Sequence, residues 1–528
     1  LSLPERIFEE RVEMEAFDVD PVESVRQYFD YYKIDSGRLE LPLNLLQHPL
    51  SLRIFCEVTN PKRDKIVKIK SIPLSLCSLF EEYISRTATR ISEISANSIS
   101  EDEVHNAIYQ LATHLWKKQT REMPMKKLRK LVNDTQRLWA DSIIPLMEQE
   151  GLLLINPGNN RHEKVVVPAY DALGGFFIAY SVLEDQSRPE VCKWLKNEKN
   201  SKKLLGDDAH PLANDILAML VNLVPMKYSG LQMWKVCSKK LRNRALISCL
   251  DISPDFIDEE TLDEVHKLFS SKVANPRYIF AKLYEQRASV EHPFNSNFLD
   301  RILRSLAVAE RDLIWTEWIR TNYPKKYSTN IEVDIKEEVE ELIDDWKSRD
   351  SRDDIDRLLA KRLLWFLSTT IQKLRDKVTY ALYCYGLSDS KSLFDLTQGS
   401  LEINDPTIPE RMLAASAGVM MANAGNNTID DHCISFAKTL HSLITDSTKK
   451  VHTTNVISVE YIKVILSSCN QGIKPIFSEI INEKDDIVFS CGSGITACVL
   501  ALGAEICGYK NIAVYDGSWT EWGSLVKA

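Results

Sequence analysis

Leu152-Leu153-Leu154-Ile155-Asn156-Pro157-Gly158-Asn159-Asn160 leads within a few residues to Lys164-Val165-Val166-Val167. Two short β-prone runs around a Pro-Gly-Asn turn predict a hairpin. Three helices precede it. From Glu101 to Lys118, Val104, Ile108, Leu111, Ala112 and Leu115 recur at helical spacing. A basic helix contains Lys126, Lys127, Leu128, Arg129, Lys130 and Leu131, and a third carries Ile143, Ile144, Leu146 and Met147, ending near Gly151. Three helices followed by a hairpin is the order of a winged helix. A helix from Ala172 to Leu183 leads out through Phe176, Phe177 and Tyr180.

The rest of the chain is helical in pattern. Gly is scarce, 18 in 528 residues, so few turns of β type are available. A short amphipathic helix is expected from Val22 to Phe29, with Tyr31 and Tyr32 behind it. A second begins near Leu43 and carries His48-Pro49-Leu50, with Pro49 tolerated in a first turn. A third spans Ser75 to Arg86. From Arg188 to Ser478 helices follow one another through short polar loops, as in Pro211 to Leu223, Leu241 to Cys249, Leu262 to Ser271, Phe298 to Leu306 and Arg357 to Phe366. Their length and spacing suit a degenerate HEAT-like α-solenoid. Trp315, Trp318, Trp346 and Trp365 read as core or groove anchors, and the acidic run Asp334 to Asp345 as a solvated face or a groove for a partner.

Length and composition bound the function. A chain of 528 residues exceeds one core, and three or four domains are expected. Its 44% hydrophobic and 27% charged residues are those of a soluble globular protein, expected in the cytoplasm. No apolar stretch is long enough to span a bilayer. The start, Leu1-Ser2-Leu3-Pro4-Glu5-Arg6, shows neither a signal segment nor an initiator Met and reads as an internal cut. A net charge of −9 opposes a general attraction to nucleic acid. Lys117, Lys118, Arg121, Lys126, Lys127, Arg129 and Lys130 suit phosphate contacts, but no Asn, Gln or Arg set is placed for base edges. A solvated face on a structural domain is the favoured reading. The eleven cysteines form no Cys-x-x-Cys pair and the histidines do not gather, so no metal site is expected.

One cysteine stands apart. Asp485-Asp486-Ile487-Val488-Phe489-Ser490 predicts a buried strand, and Ala497-Cys498-Val499-Leu500-Ala501-Leu502 predicts a helix. Between them lies Cys491-Gly492-Ser493-Gly494-Ile495-Thr496. A cysteine so placed faces backbone N–H groups and the positive end of a helix dipole, both of which favour thiolate and hold an attached sulfur anion. Cys491 is the candidate nucleophile, and Gly492, Ser493, Gly494, Ile495 and Thr496 the candidate anion or persulfide loop. The plainer reading is a small apolar residue ending a strand.

The stretch Ile487 to Gly523 resembles the end of a thiosulfate or mercaptopyruvate sulfurtransferase of the rhodanese fold. The resemblance rests on the loop Cys491 to Thr496 and on Tyr515-Asp516-Gly517-Ser518-Trp519-Thr520-Glu521-Trp522-Gly523. It implies a β-loop-α-β unit in which Cys491 accepts a sulfane sulfur. The family's upstream Gly-His-Ile-Pro-Gly-Ala-like motif is absent, and its substrate-binding arginines have no counterpart.

A second resemblance covers residues 1 to 430. Pro42 to Glu57 with the Glu101 to Glu184 region looks like the end of a STAND (NACHT-like) NTPase module, in which a His-Pro-Leu helix follows the nucleotide-binding core. That implies a base contact for His48 and Pro49. Arg311-Asp312-Leu313-Ile314-Trp315-Thr316-Glu317-Trp318, Leu374-Arg375-Asp376-Lys377-Val378-Thr379 and Asn404-Asp405-Pro406-Thr407-Ile408-Pro409-Glu410-Arg411-Met412-Leu413-Ala414-Ala415 are similar to the array of bacterial antiviral STAND proteins. The resemblance implies a protein ligand, such as a phage protein, on the solenoid and homo-oligomers of the full-length protein. No Gly-x-x-x-x-Gly-Lys-Ser/Thr loop occurs. This chain is therefore expected to hold no cofactor, with ATP and Mg belonging to a core upstream.

The expected fold is mainly α. Residues 1–95 form the helical end of the NTPase module, 96–187 a winged helix, 188–479 the solenoid and 480–528 the rhodanese-like segment. The expected function is regulation and ligand sensing in a STAND-type antiviral ATPase, without nucleic acid or membrane. The alternative is sulfur transfer at Cys491.

Overall fold

The computed structural model describes residues 21–37, 46, 48–69, 76–95, 98–158, 163–270, 275–323, 334–445, 455–469, 486–490, 497, 501, 504–505 and 509–515. They are mainly helical and fall into two compact units, one reaching Asn275 and including Glu291–Pro293, the other holding Pro276–Val290 and the residues from Phe294 on. Helices of the stretch expected as one array occur in both.

In the first unit, helices Pro21–Tyr32, Pro49–Thr59 and Leu76–Ile94 pack in sequence, and two-residue strands β1 (Ile34–Asp35) and β2 (Val67–Lys68) pair in parallel. The Leu76–Ile94 helix runs two turns past the expected Arg86, because Thr87, Ala88 and Ile91 keep its buried stripe going. The Glu101–Lys118 helix starts at a capping box made by Ser100 and Glu103 and ends at Gln119 in the left-handed conformation. Then come β3 (Met123–Pro124), helices Met125–Leu131 and Ile143–Gln149, and strands β4 (Leu153–Pro157) and β5 (Lys164–Pro168). The three strands form an antiparallel sheet with β5 in the centre, Met123 opposite Val166 and Ile155 opposite Val166 on the other side. β3, only two residues long, carries no periodicity that a sequence reading can detect.

Asp134 ties these helices together from a fully buried position. Its carboxylate accepts from the Ser142 hydroxyl and from the Ile143 N–H at 3.3 Å, and it meets Arg137 at 3.4 Å and Arg129 at 3.7 Å. Arg129 also donates to the Asp134 carbonyl, and Arg121 pairs with Asp171 at 3.1 Å. Lys127 Nζ lies 3.0 Å from His114 Nδ1. Part of the basic surface is thus engaged inside the unit.

The helix Asp171–Leu183 lies at the centre of this unit, packed against Ala213–Lys227, Glu101–Lys118, Leu76–Ile94 and β5. Gly174 and Gly175 permit the approach. A methyl group on Gly175 would lie 2.5 Å from Asp215 Cβ and 2.7 Å from its carbonyl carbon; on Gly174 it would meet side-chain atoms of Leu212 and Pro168 at 3.0 Å.

The second unit is a run of helices. Gln372–Ser388 packs on Ile335–Ser348, Asp354–Phe366 and Thr407–Gly425, and Val456–Ser468 packs on Thr407–Gly425 and Asp431–Thr445. The tryptophans are core. Trp315 and Trp318 stack at 5.2 Å, and the indole N–H of Trp315 donates to the Trp365 carbonyl. Those of Trp346 and Trp365 donate to Asp356 and Asp300. The acidic Ile335–Ser348 helix is capped by Asp334, which accepts from the N–H groups of Lys336 and Glu337. Glu338 departs from the expected solvated face. It is buried and paired with Arg362 at 2.6 Å and Arg287 at 3.1 Å.

Two outcomes follow. Gly175→Ala should lower stability by about 2 kcal/mol, because backbone stands where the methyl would go. Gly174→Ala should cost less, since a helix-propensity gain of about 1 kcal/mol offsets its milder contacts. Urea midpoints of the two variants check this. The second concerns His292, which is buried with its Nε2 3.3 Å from the Ile252 carbonyl; burial lowers its pKa to about 4. A lowered folded pKa means the unfolded chain takes up the proton first. Stability is therefore complete above pH 6.5 and falls by about 3 kcal/mol between there and pH 4. His292→Gln should flatten that part of the stability–pH curve.

Candidate functional site at the ends of two parallel strands

β6 (Ile487–Phe489) and β7 (Ile512–Val514) pair in parallel, with Ile487 opposite Ile512 and Phe489 opposite Val514. The Ile487 N–H donates to the Asn511 carbonyl, and the Tyr515 N–H to the Phe489 carbonyl, each at 2.8 Å. Parallel pairing demands a crossover between the strands. The described crossover residues Ala501, Ala504 and Glu505 are helical, and so is Ala497. Ile487, Ala504 and Tyr509 form a buried cluster with Phe489 and Ile512 packed on it.

The strand departs from the expected buried run. Val488 is 65% exposed, so β6 alternates inward and outward. Ala504 and Tyr509 cover the Ile487 face, and Val488 on the other face meets solvent.

Ser490 leaves the carboxyl end of β6 and Tyr515 that of β7, and the Tyr515–Phe489 hydrogen bond sets both exits at one edge of the pair. The carboxyl ends of parallel strands are where open α/β sheets place their ligand sites. The candidates Cys491, Gly492, Ser493, Gly494, Ile495 and Thr496 follow Ser490 directly in the sequence and lie outside the described residues, as do Asp516 to Gly523.

His48 and Pro49 are described. Pro49 is the first residue of its helix and His48 the cap, whose Nδ1 accepts the Leu50 N–H at 3.3 Å. The imidazole stacks on Tyr170 with ring centres 4.1 Å apart, and burial lowers its pKa, favouring the neutral ring. Nδ1 and one face of the ring are thus engaged inside the unit. The family resemblance implies a base contact for His48 and Pro49; the capping role of His48 and its stacking on Tyr170 had no sign in the sequence.

Among the described residues, no three His, Cys, Asp or Glu side chains gather as metal ligands. No described helix is long and apolar enough to cross a membrane. The described thiols with a resolved shift are all less acidic than a free cysteine. Burial pushes Cys56 and Cys469 up to about 12, Cys237 to about 11, and the fully buried Cys249 still further.

Residues 452–525 match the family model of the rhodanese-like domain. The C-terminal part of the chain is rhodanese-like. It is similar to thiosulfate/3-mercaptopyruvate sulfurtransferase 2 of Arabidopsis thaliana, 57% identical over 44 residues, which make 8% of this chain and 13% of that protein. To human 3-mercaptopyruvate sulfurtransferase it is 43% identical over 58 residues, 11% of this chain and 20% of that protein. To the thiosulfate sulfurtransferase of Rattus norvegicus it is 53% identical over 42 residues, 8% and 14%. The chain thus spans at most a fifth of the length of these relatives.

The family match opens inside the region expected to be array. Its first helix, Val456–Ser468, packs on the helices before it, and just past its end Cys469 Sγ lies 3.4 Å from Met420 Sδ.

A thiol's rate of alkylation follows its thiolate fraction and its exposure. Brief treatment of the native chain with iodoacetamide should therefore label Cys491 well before Cys249, as read by peptide mass spectrometry. Equal or slower labelling of Cys491 would remove the reactive-loop reading.

Proposed function

We propose that the C-terminal segment takes up sulfane sulfur on Cys491 and that the helical remainder serves recognition and regulation. The first part rests on one observation: in the sequence Cys491 to Thr496 directly follow the carboxyl end of β6, one strand of a parallel pair, within the residues that match the rhodanese-like family. The similarity to sulfurtransferases that act on thiosulfate and 3-mercaptopyruvate supports the substrate class. With thiosulfate, the Cys491 thiolate attacks the outer sulfur. A new S–S bond forms, the bond to the sulfite sulfur breaks, and sulfite leaves with its electron pair. Backbone N–H groups from Gly492 to Thr496 are assigned to stabilise the persulfide.

Full turnover needs groups that position the donor and stabilise charge, and these are not supplied by a loop alone. Most of the relatives' length has no match in this chain, so persulfide formation is proposed and rapid transfer onward is not.

The second reading is the regulatory and sensing portion of a STAND-type ATPase. The order of three helices and three strands from Glu101 to Pro168, with β5 central, supports a winged helix there. The contact of the His48 cap with Tyr170 supports the placing of a His-Pro helix beside that domain. On this reading the helices of residues 188–479 form a HEAT-like surface for a protein ligand, with ATP and Mg belonging to a core upstream. Cytoplasmic location and homo-oligomers of the full-length protein belong to the same proposal. Nucleic-acid binding ranks last, because part of the basic surface is engaged internally.

Incubation of the chain with thiosulfate should add the mass of one sulfur atom to the peptide containing Cys491, and Cys491→Ser should abolish the addition. Sulfite should appear in proportion to protein, while thiocyanate formation from added cyanide stays negligible. Absence of the added sulfur in the native chain would overturn the proposal.

A further inference from the structure

Four helices of the second unit, Ser296–Ser305, Asp354–Phe366, Gln372–Ser388 and Ser390–Ser400, line an open cleft of about 490 Å³. Asp354–Phe366 and Ser390–Ser400 each pack on Gln372–Ser388, which contributes Tyr385 to the wall. The Tyr385 side chain is fully buried, its ring centre 5.2 Å from that of Trp346, and its hydroxyl makes no hydrogen bond. The Ser392 hydroxyl, also on the wall, is near enough to act on it electrostatically, yet the two do not meet in bonding geometry. Burial pushes the Tyr385 pKa up, so the group stays a protonated donor. A buried donor without an acceptor is costly, and a ligand in the adjoining cleft is one means of supplying it.

The charges on the wall form two closed pairs and two open ends. Arg304 pairs with Asp300 at 2.9 Å, and Arg357 with Asp354 at 2.6 Å. Arg304 also donates to the Gly399 carbonyl at 3.0 Å, and Arg357 lies 3.6 Å from Asp389. Lys361 has only a neutral partner, the side-chain oxygen of Asn297 at 2.7 Å. The Asp395 carboxylate has no hydrogen bond or ion pair among the described residues. Lys361 and Asp395 thus line one cleft with opposite charges and are not paired with each other.

That pattern selects the occupant. A lone anion drawn to Lys361 meets Asp395, and a lone cation drawn to Asp395 meets Lys361. A ligand that carries both charges satisfies both. The Tyr385 hydroxyl, on the helix against which the other two pack, calls for an acceptor between the ligand's charged ends. A free amino acid has none there, and a peptide group has one. A chain of two or three residues extends about 7 to 10 Å and suits a cleft of this volume. We propose that the cleft binds a short peptide with both termini free, its carboxylate on Lys361, its ammonium on Asp395 and a peptide carbonyl on the Tyr385 hydroxyl. The site does not depend on Cys491 or on a nucleotide, so it stands apart from both readings above.

Calorimetric titration of the full chain with Ala-Ala-Ala tests this. Acetylating the peptide's amino end, or amidating its carboxyl end, should each weaken binding by about fivefold. The acetyl group should no longer matter in Asp395→Asn, nor the amide in Lys361→Met. Tyr385→Phe keeps the ring, removes only the unpartnered hydroxyl, and should weaken Ala-Ala-Ala by about threefold without lowering the thermal midpoint. Circular dichroism spectra matching the native chain confirm that the variants are folded. No binding of Ala-Ala-Ala, indifference to both caps, or cap effects that survive the substitutions would overturn the proposal. Free alanine binding as tightly as Ala-Ala-Ala would also overturn it. So would dependence on the carboxyl end alone, which would instead indicate the tail of a partner protein.

Discussion

The backbone of Asp215 leaves no space for a side chain at residue 175. Much of the first unit depends on that constraint. It brings the helices Asp171–Leu183 and Ala213–Lys227 into close contact, and the first of these then serves as the surface on which others are built. Just before its start, Tyr170 receives the imidazole that caps the Pro49–Thr59 helix. Its middle supplies Phe176, which meets Phe80 edge to face at 5.7 Å. Near its end, Tyr180 lies under Lys227 of the facing helix. Pairs of small residues do this elsewhere by lowering the distance between helix axes, so that larger neighbours reach across.

The second unit, like the first at Asp134, buries charge as well as apolar surface. Arg311 is fully buried, donates to the Leu303 carbonyl and Asn404, and lies 3.6 Å from Asp405. Arg362 and Arg287 share Glu338, and Arg349 bridges Asp345 and Asp356. Buried pairs of this kind add little net stability, but losing one partner is costly.

Much of this was legible in the residues. The Glu101–Lys118 helix occupies its expected span, and β4 and β5 lie where the two β-prone runs place them, because local pattern and turn chemistry agree there. Other features are properties of tertiary contact. The division near Asn275 follows from which helix faces meet, and no linker-like composition marks it. The cleft at Tyr385 joins residues from Asn297 to Gly399 on helices whose patterns look ordinary. For Cys491, the motif was plain in the sequence, and the fold adds the parallel pair and the common strand exit beside it. The helical start of the family match was not foreseen, since Val456–Ser468 has the same apolar character as the array it packs on.

The burial of Cys56, Cys249 and Cys469 has a consequence for sulfur chemistry. A persulfide gives up its outer sulfur to whichever thiolate attacks it. Cys56, Cys249 and Cys469 stay protonated at neutral pH and out of reach of solvent. They are therefore poor competitors for sulfur held elsewhere on the same chain. Hydrophobic packing, which places those three cysteines inside for their size and softness, also keeps them chemically quiet.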